Sequence, residues 1–295
     1  MQDIGNAIDF EFRGRRVVRD RPMVMAIVNR TPDSFYDQGA TFDEEPARDA
    51  VRTAVEGGAD IIDIGGITAS PGDEVDTDEE IARVLPTVEW TREHYPDVLI
   101  SVDTWRHEVS DAVCQAGADI INDAWGAADE KIIDVAAEHR AGYICTHANR
   151  NPRATPVRSD YDDVVNTVID EIVRLAELAE SKGVPRSGII IDGTGYGKNT
   201  TDHLELVRRV PEMVATGWPV LMALSNKTFV RESLDLSAEQ REELLTGTLA
   251  ATAIAARSGA AVFRAHQALQ TRRTLEMVAC INGTRQPMLP EEWIS

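Results

Sequence analysis

Seven side chains in this sequence have types and positions that suit chemistry. Asp103, Asn122 and Asp192 each end an apolar run, in Ser101-Val-Asp-Thr104, Ile120-Ile-Asn-Asp123 and Ile189-Ile-Ile-Asp192. Two carboxylates and an amide, if they converge, offer donors and acceptors for a flat heterocycle carrying several N–H and C=O groups. Each could instead cap the helix after it, the plainer reading for one residue but not for three. Arg264 and His266 lie two apart on a strand and so share a face. With Lys227 of Ser225-Asn-Lys-Thr-Phe229 they form a cationic corner that suits a phosphate. A core ion pair is the alternative for a buried arginine. Asn29 opens Arg30-Thr-Pro-Asp-Ser-Phe35, which reads equally as a flap over a site and as an ordinary connection.

The elements that must position these groups are eight short apolar runs, at 23–28, 60–64, 99–102, 119–121, 143–146, 189–191, 220–224 and 260–263. Continuous apolar runs are what parallel strands buried on both faces look like, and a (β/α)8 barrel keeps its chemistry at the strands' C-terminal ends. The expected fold is therefore α/β, a single TIM barrel. Its helices fall near 44–57, 78–92, 107–116, 130–140, 160–182, 200–210, 238–258 and 271–283. Thr77 and Ser237-Ala-Glu-Gln240 read as two helix starts. Val164, Val168, Ile172, Leu175 and Leu178 form a helical stripe. Gly57-Gly58, Gly117, Gly142, Gly183, Gly217 and Gly259 read as helix ends. Residues 7–20 read as a β-hairpin turning at Arg13-Gly14, a lid on the barrel's bottom. The chain divides into a hairpin segment 1–20, a barrel 21–285 and a tail 286–295.

Composition narrows the partners. Of 295 residues, 50 are acidic and 30 are lysine or arginine, a net charge of −20, which argues against a nucleic-acid partner. No apolar stretch approaches the roughly 20 residues of a membrane span, and the first residues lack a signal-peptide pattern. Three scattered cysteines, Cys114, Cys145 and Cys280, have neither a disulfide nor a zinc spacing, so the expected compartment is a reducing cytoplasm.

The segments IVNRTPDSF, DIIDIGG, SVDT, GADIINDAWG, LSNKTF, GTLAA and RAH, in this order from about residue 20 to 285, closely resemble the dihydropteroate synthase family. The resemblance implies that Asp103, Asn122, Asp192 and Lys227 hold a pterin ring. It gives the pyrophosphate to Asn29, Arg264 and His266, with Asn29 near a Mg²⁺ ion, and the catalytic roles to Lys227, Arg264 and His266. It implies loss of pyrophosphate from 6-hydroxymethyl-dihydropterin pyrophosphate and attack by the amine of p-aminobenzoate. It places Phe35, Thr68, Ser70, Pro71, Tyr196 and Asn226 on the second-substrate loops, and a homodimer interface near the C-terminal helices, where the 249–256 segment also suits core packing.

The second-substrate side departs from that pattern. Ser70 and Asn226 stand where the family carries arginines, the 192–198 loop is shortened to Asp-Gly-Thr-Gly-Tyr-Gly-Lys, and Thr146 replaces a common methionine before His147. Loss of a charge-assisted partner for an aryl carboxylate costs about 1.5–3 kcal/mol, and Arg30, Arg150 or Arg153 could compensate. Three readings follow: a synthase with a modified second-substrate site, a non-catalytic paralogue that binds a ligand or a partner, and a pterin transferase using another nucleophile. The retained Arg264-x-His266 argues against a pterin-dependent methyltransferase.

Overall fold

The computed structural model describes residues 8–31, 41–68, 74–148, 161–237 and 239–288. A hairpin comes first, β1 (Ile8–Phe12) and β2 (Arg15–Arg19), paired antiparallel through Arg13 and Gly14, both with positive φ. Eight parallel strands then close into a barrel: β3 (Met23–Asn29), β4 (Ile61–Gly65), β5 (Leu99–Asp103), β6 (Ile120–Asp123), β7 (Gly142–Thr146), β8 (Ile189–Asp192), β9 (Val220–Met222) and β10 (Val262–Ala265). Strand β10 pairs with both β9 and β3, so the sheet has no edge.

The twofold alternation of a strand sorts the side chains into two cores. Val24, Ala26, Ile62, Ile64, Ile100 and Val102 pack outward against the helices. Met23, Met25, Ile61, Leu99, Ile120, Ile144, Ile190, Leu221 and Val262 point inward and fill the barrel's lower half, where Phe10 and Phe12 of the hairpin join them. The hairpin thus closes the barrel's bottom as expected, with Phe10 and Phe12 inserted as a plug. Around the same end, Asp60 accepts from Arg21 at 2.8 Å and 3.1 Å, from Arg19 at 2.9 Å and from the Val24 N–H at 3.0 Å. Two residues further up β4, β5, β6, β7, β8 and β10 the inward column turns polar, at Asp63, Ser101, Asn122, Thr146, Asp192 and Arg264, while β3 and β9 continue with Ile27 and Ala223.

The helices are α1 (Glu44–Glu56), α2 (Thr77–His94), α3 (His107–Gln115), α4 (Lys131–Glu138), α5 (Val164–Ser181), α6 (Thr200–Arg208), α7 (Val210–Val214), α8 (Thr228–Ser233), α9 (Arg241–Arg257) and α10 (Ala268–Asn282). Several local expectations are corrected. Asp76, not Thr77, caps α2, its carboxylate accepting the Glu79 N–H at 2.8 Å. Gln240 accepts the Ser237 N–H, but α9 begins only at Arg241, so no capping box forms at Ser237. The helix expected at 200–210 is α6, while α7 and α8 are short helices that the pattern does not predict. Gly142 belongs to β7, where any Cβ would meet the Phe12 ring at 2.6 Å, while Arg140 takes the left-handed turn before it. The stripe on α5 buries Val164, Val168, Ile172 and Leu175, with Leu178 only half-buried.

Candidate functional site

The polar upper halves of the inward columns meet at the barrel mouth. Ile61 leads to Asp63, Leu99 to Ser101 and Asp103, Ile120 to Asn122, Ile190 to Asp192, Val262 to Arg264, each by steps of two. Asp63 is their hub. Fully buried, it accepts from the Ser101 hydroxyl at 2.8 Å, from Arg264 Nε at 2.6 Å and from the Asn122 amide at 3.3 Å. Arg264 Nη2 also reaches Asp103 at 2.9 Å, so one guanidinium bridges two carboxylates. Burial works against the Arg264 charge, but Asp63 and then Asp103 outweigh it and raise its pKa. Burial also lifts the Asp103 pKa, to about 7, against the pull of Arg264 and with help from Asp63, Glu80 and Asp123.

The second half of the mouth is built on loops. Asp192 accepts the Thr194 N–H at 2.6 Å and its hydroxyl at 2.5 Å, and Thr194 Oγ1 in turn accepts the Ala223 N–H at 2.9 Å. Lys227, at the start of α8, donates to the Thr194 carbonyl. Burial lowers its pKa to about 8, with Asp192 opposing and Arg264 adding to the fall. Lys198 donates to the carbonyls of Gly195, His147 and Tyr196 at 3.1, 3.2 and 3.5 Å. Burial and the Lys227 charge lower it to about 7. Beside it the Tyr196 ring stacks on Trp125, centroids 5.7 Å apart and 16° from parallel, and Trp105 meets Trp125 edge-on at 5.7 Å. Trp125 is held by its own turn: buried Asp123 accepts the N–H groups of Trp125 and Ala127 at 3.0 and 2.6 Å and the Tyr143 hydroxyl at 2.6 Å.

A cavity of about 590 Å³ opens between the two halves. Of the expected residues, Asn29, Thr68, Asp103, Tyr196, Asn226, Lys227, Arg264 and His266 line it. Asn122 and Asp192, 4% and 6% exposed, are not among the lining residues; Asn122 donates to Asp63, and Asp192 accepts the Thr194 N–H. Phe35, Ser70 and Pro71 lie outside the described residues, as do Arg150 and Arg153. The cationic corner is smaller than expected. Burial, then Arg264, pushes His266 down to about 3, so it is neutral near pH 7. The Ser225 hydroxyl accepts the His266 backbone N–H at 3.2 Å and shares a hydrogen bond with the ring Nδ1 at 3.0 Å. Arg30 does not line the cavity; its Nε donates to the Arg83 carbonyl at 3.0 Å. Asn226 turns its amide to Gln267 at 3.3 Å and His266 at 3.5 Å.

Asp63, Trp125 and Lys198 were not among the expected site residues. The step-of-two rule from Ile61 would have found Asp63; the two loop residues carry no such periodic signal. For a cation, the mouth offers the Asn29 carboxamide beside Asp103, both lining the cavity. That fits Mg²⁺, which keeps most of its waters and takes one or two protein oxygens plus substrate phosphates. A group of metal-binding type at His107, Glu108 and Asp129 lies elsewhere; there Asp129 accepts both the His107 backbone N–H at 3.1 Å and its ring nitrogen at 2.6 Å, a cap on α3.

Residues 25–266 match the model of the pterin binding enzyme family. The chain belongs to that family. A Mycobacterium leprae relative, "inactive dihydropteroate synthase 2", is 54% identical over 280 residues, covering 93% of this chain and 95% of its own. Two solved dihydropteroate synthases share the fold. The Coxiella burnetii enzyme, in complex with pteroic acid, has a TM-score of 0.83 at 29% identity and covers 94% of this chain and all (100%) of its own. The Xanthomonas albilineans enzyme, with 4-aminobenzoic acid, has a TM-score of 0.83 at 34% identity and covers 94% and 98%. The chain is a dihydropteroate synthase-like barrel, and no described helix is long and apolar enough to cross a membrane.

Proposed function

We propose that this chain binds 6-hydroxymethyl-dihydropterin pyrophosphate at the barrel mouth and condenses it with p-aminobenzoate at a reduced rate. The observation that carries this reading is the contrast within one cavity. Its deep side is a complete, mutually bonded set of Asp63, Asp103, Asn122 and Arg264, whereas Arg264 is the one arginine among the described residues that line it. Asp103, Asn122 and Asp192 with Lys227 then serve the pterin. The Arg264 guanidinium and the neutral His266 ring serve the leaving pyrophosphate, and Lys227, Arg264 and His266 together stabilise the charge that develops there. Asn29 would hold a Mg²⁺ that enters with the pyrophosphate and neutralises part of that charge. Thr68, Tyr196 and Asn226 face the second substrate. Support for both ligands comes from the relatives solved with pteroic acid and with 4-aminobenzoic acid.

A second reading, a non-catalytic binding paralogue, is favoured by the name of the Mycobacterium leprae relative. We place either form in the cytoplasm, as a homodimer: Ile254 of α9 and Met277 and Ile281 of α10 are 57%, 59% and 61% exposed on two helices packed together. The deciding experiment is pyrophosphate release from the pterin pyrophosphate with Mg²⁺, with and without p-aminobenzoate. Slow release that requires p-aminobenzoate supports the synthase. No release from folded protein that still binds the pterin selects the paralogue, and absence of pterin binding overturns both.

A further inference from the structure

Trp125 lines the cavity and is firmly fixed there. Buried Asp123 holds its N–H and that of Ala127, and its turn runs on through left-handed Gly126 and Ala127, with φ of 65° and 56°. Trp105 meets the ring edge-on at 5.7 Å, and the residue is only 6% exposed. Tyr196, which lies on it, is built the opposite way. It stands between Gly195 and Gly197. Gly195 sits so close to β7 that a Cβ there would meet the Thr146 methyl at 2.6 Å, whereas the space a Cβ would take on Gly197, at φ 89°, is open. Tyr196 is 46% exposed, and its hydroxyl makes no hydrogen bond among the described residues. The ring is ordered by its stack on Trp125, 16° from parallel. A flat ring on a flat ring is an arrangement that a flat ligand can reproduce.

We infer that Trp125 is the stacking floor for the flat heterocycle, and that Tyr196 occupies this floor in the ligand-free protein, so that the heterocycle binds by exchanging one ring for another. The inference rests on the proposed pterin site and names the residue that selects a flat ring there. The surroundings of the phenol agree with it. Burial raises the Tyr196 pKa, with Arg264 opposing and Asp103 and Asp192 adding to the rise, so the phenol lies among the groups proposed for the pterin and its leaving group. With Tyr196 in place, Asn122 and Asp192 do not line the cavity, although Asp103 does. An occupant that must leave first lowers the apparent affinity by the fraction of time the floor is bare. The rigid turn under Trp125 keeps the floor in place during the exchange, and the glycines on either side of Tyr196 give its backbone the freedom to move.

The test is calorimetry and tryptophan fluorescence with 6-hydroxymethylpterin, which carries the ring without the pyrophosphate, and with inorganic pyrophosphate and Mg²⁺ as the control. Tyr196→Ala binds the pterin several-fold more tightly than wild type, because no ring has to leave first. Trp125→Leu keeps apolar bulk without a π face and binds it about tenfold more weakly, the size of one lost ring stack. Trp125→Phe restores most of that loss, and the quenching of fluorescence by pterin seen in wild type is lost in it. Pyrophosphate binds all four proteins alike. Weaker pterin binding by Tyr196→Ala would make Tyr196 a wall of the site rather than its occupant, and overturns the inference. So does equal affinity of the Leu and Phe variants, which would leave Trp125 as packing alone. Pyrophosphate bound by wild type and Tyr196→Ala, with pterin bound by neither, overturns the stacking floor while sparing the anion site. Folded protein that binds neither ligand overturns the functional reading itself.

Discussion

The two sides of the cavity are built by different means. The deep side, Asp63, Ser101, Asp103, Asn122 and Arg264, sits on strands whose register the closed barrel dictates, and each group is bonded to another. The rim, with Tyr196, Lys198 and Asn226, sits on loops between strand and helix, and its polar groups lean on backbone carbonyls and neighbouring amides. A change on the deep side strands buried charge, while a change at the rim alters what is recognised at little cost to the fold. Of the two arginines expected from the family pattern, one is replaced at the rim by Asn226; the other position, Ser70, lies outside the described residues.

The sharpest way to break this contrast is Asp63→Ala. It leaves Arg264 buried with one carboxylate and removes the acceptor of Ser101 and Asn122. Loss of one partner from a buried ion pair costs about 3–5 kcal/mol, read as a lower urea midpoint with unchanged slope. A loss below about 1 kcal/mol, the scale of an ordinary exposed pair, would mean that Arg264 repartners with Asp103 and that the deep side is not locked.

Next in size is Asp192→Ala. Asp192 shapes the turn that presents the Thr194 carbonyl to Lys227 and is one of the proposed pterin acceptors. Pterin affinity should fall about a hundredfold or more, the scale of a lost charge-assisted hydrogen bond. Unchanged calorimetric affinity would refute the pterin site as drawn.

The same division explains what could be read from sequence. Parallel strands announce themselves as apolar runs, and the residue ending each run is visible as the first polar one, which is why Asp103, Asn122, Asp192 and Arg264 stood out. Asp63 is visible as the polar interruption of the run 60–64 but receives no site role from the sequence, because it lies inside the run, flanked by isoleucines that face the helices. The short α7 and α8, of 5 and 6 residues, are too brief for a hydrophobic period. Thr77 outranked Asp76 as a cap because both are good cap residues and only geometry separates them. Lys198 and Trp125 are fixed by long-range neighbours, a β7 carbonyl and the Tyr196 ring, that no local pattern encodes.

The smallest effect expected is at Asn226, and it probes the rim directly. Its φ of 56° lies in the left-handed region, which asparagine tolerates better than most side chains. Its N–H donates to Thr248 Oγ1 at 3.2 Å and its amide to Gln267 at 3.3 Å. An arginine there keeps the backbone bond, but is too long for the inward amide position and must extend into the cavity, towards the aromatic walls. Asn226→Arg should therefore cost about 1 kcal/mol of stability through the left-handed backbone while strengthening p-aminobenzoate binding several-fold; adding Ser70→Arg should strengthen it further. Thermal melting reads the first effect and calorimetry, or the p-aminobenzoate KM where turnover is measurable, the second. If neither arginine changes p-aminobenzoate affinity although the protein stays folded, the rim has been rebuilt around another anion contact and the missing arginines do not set the second-substrate preference.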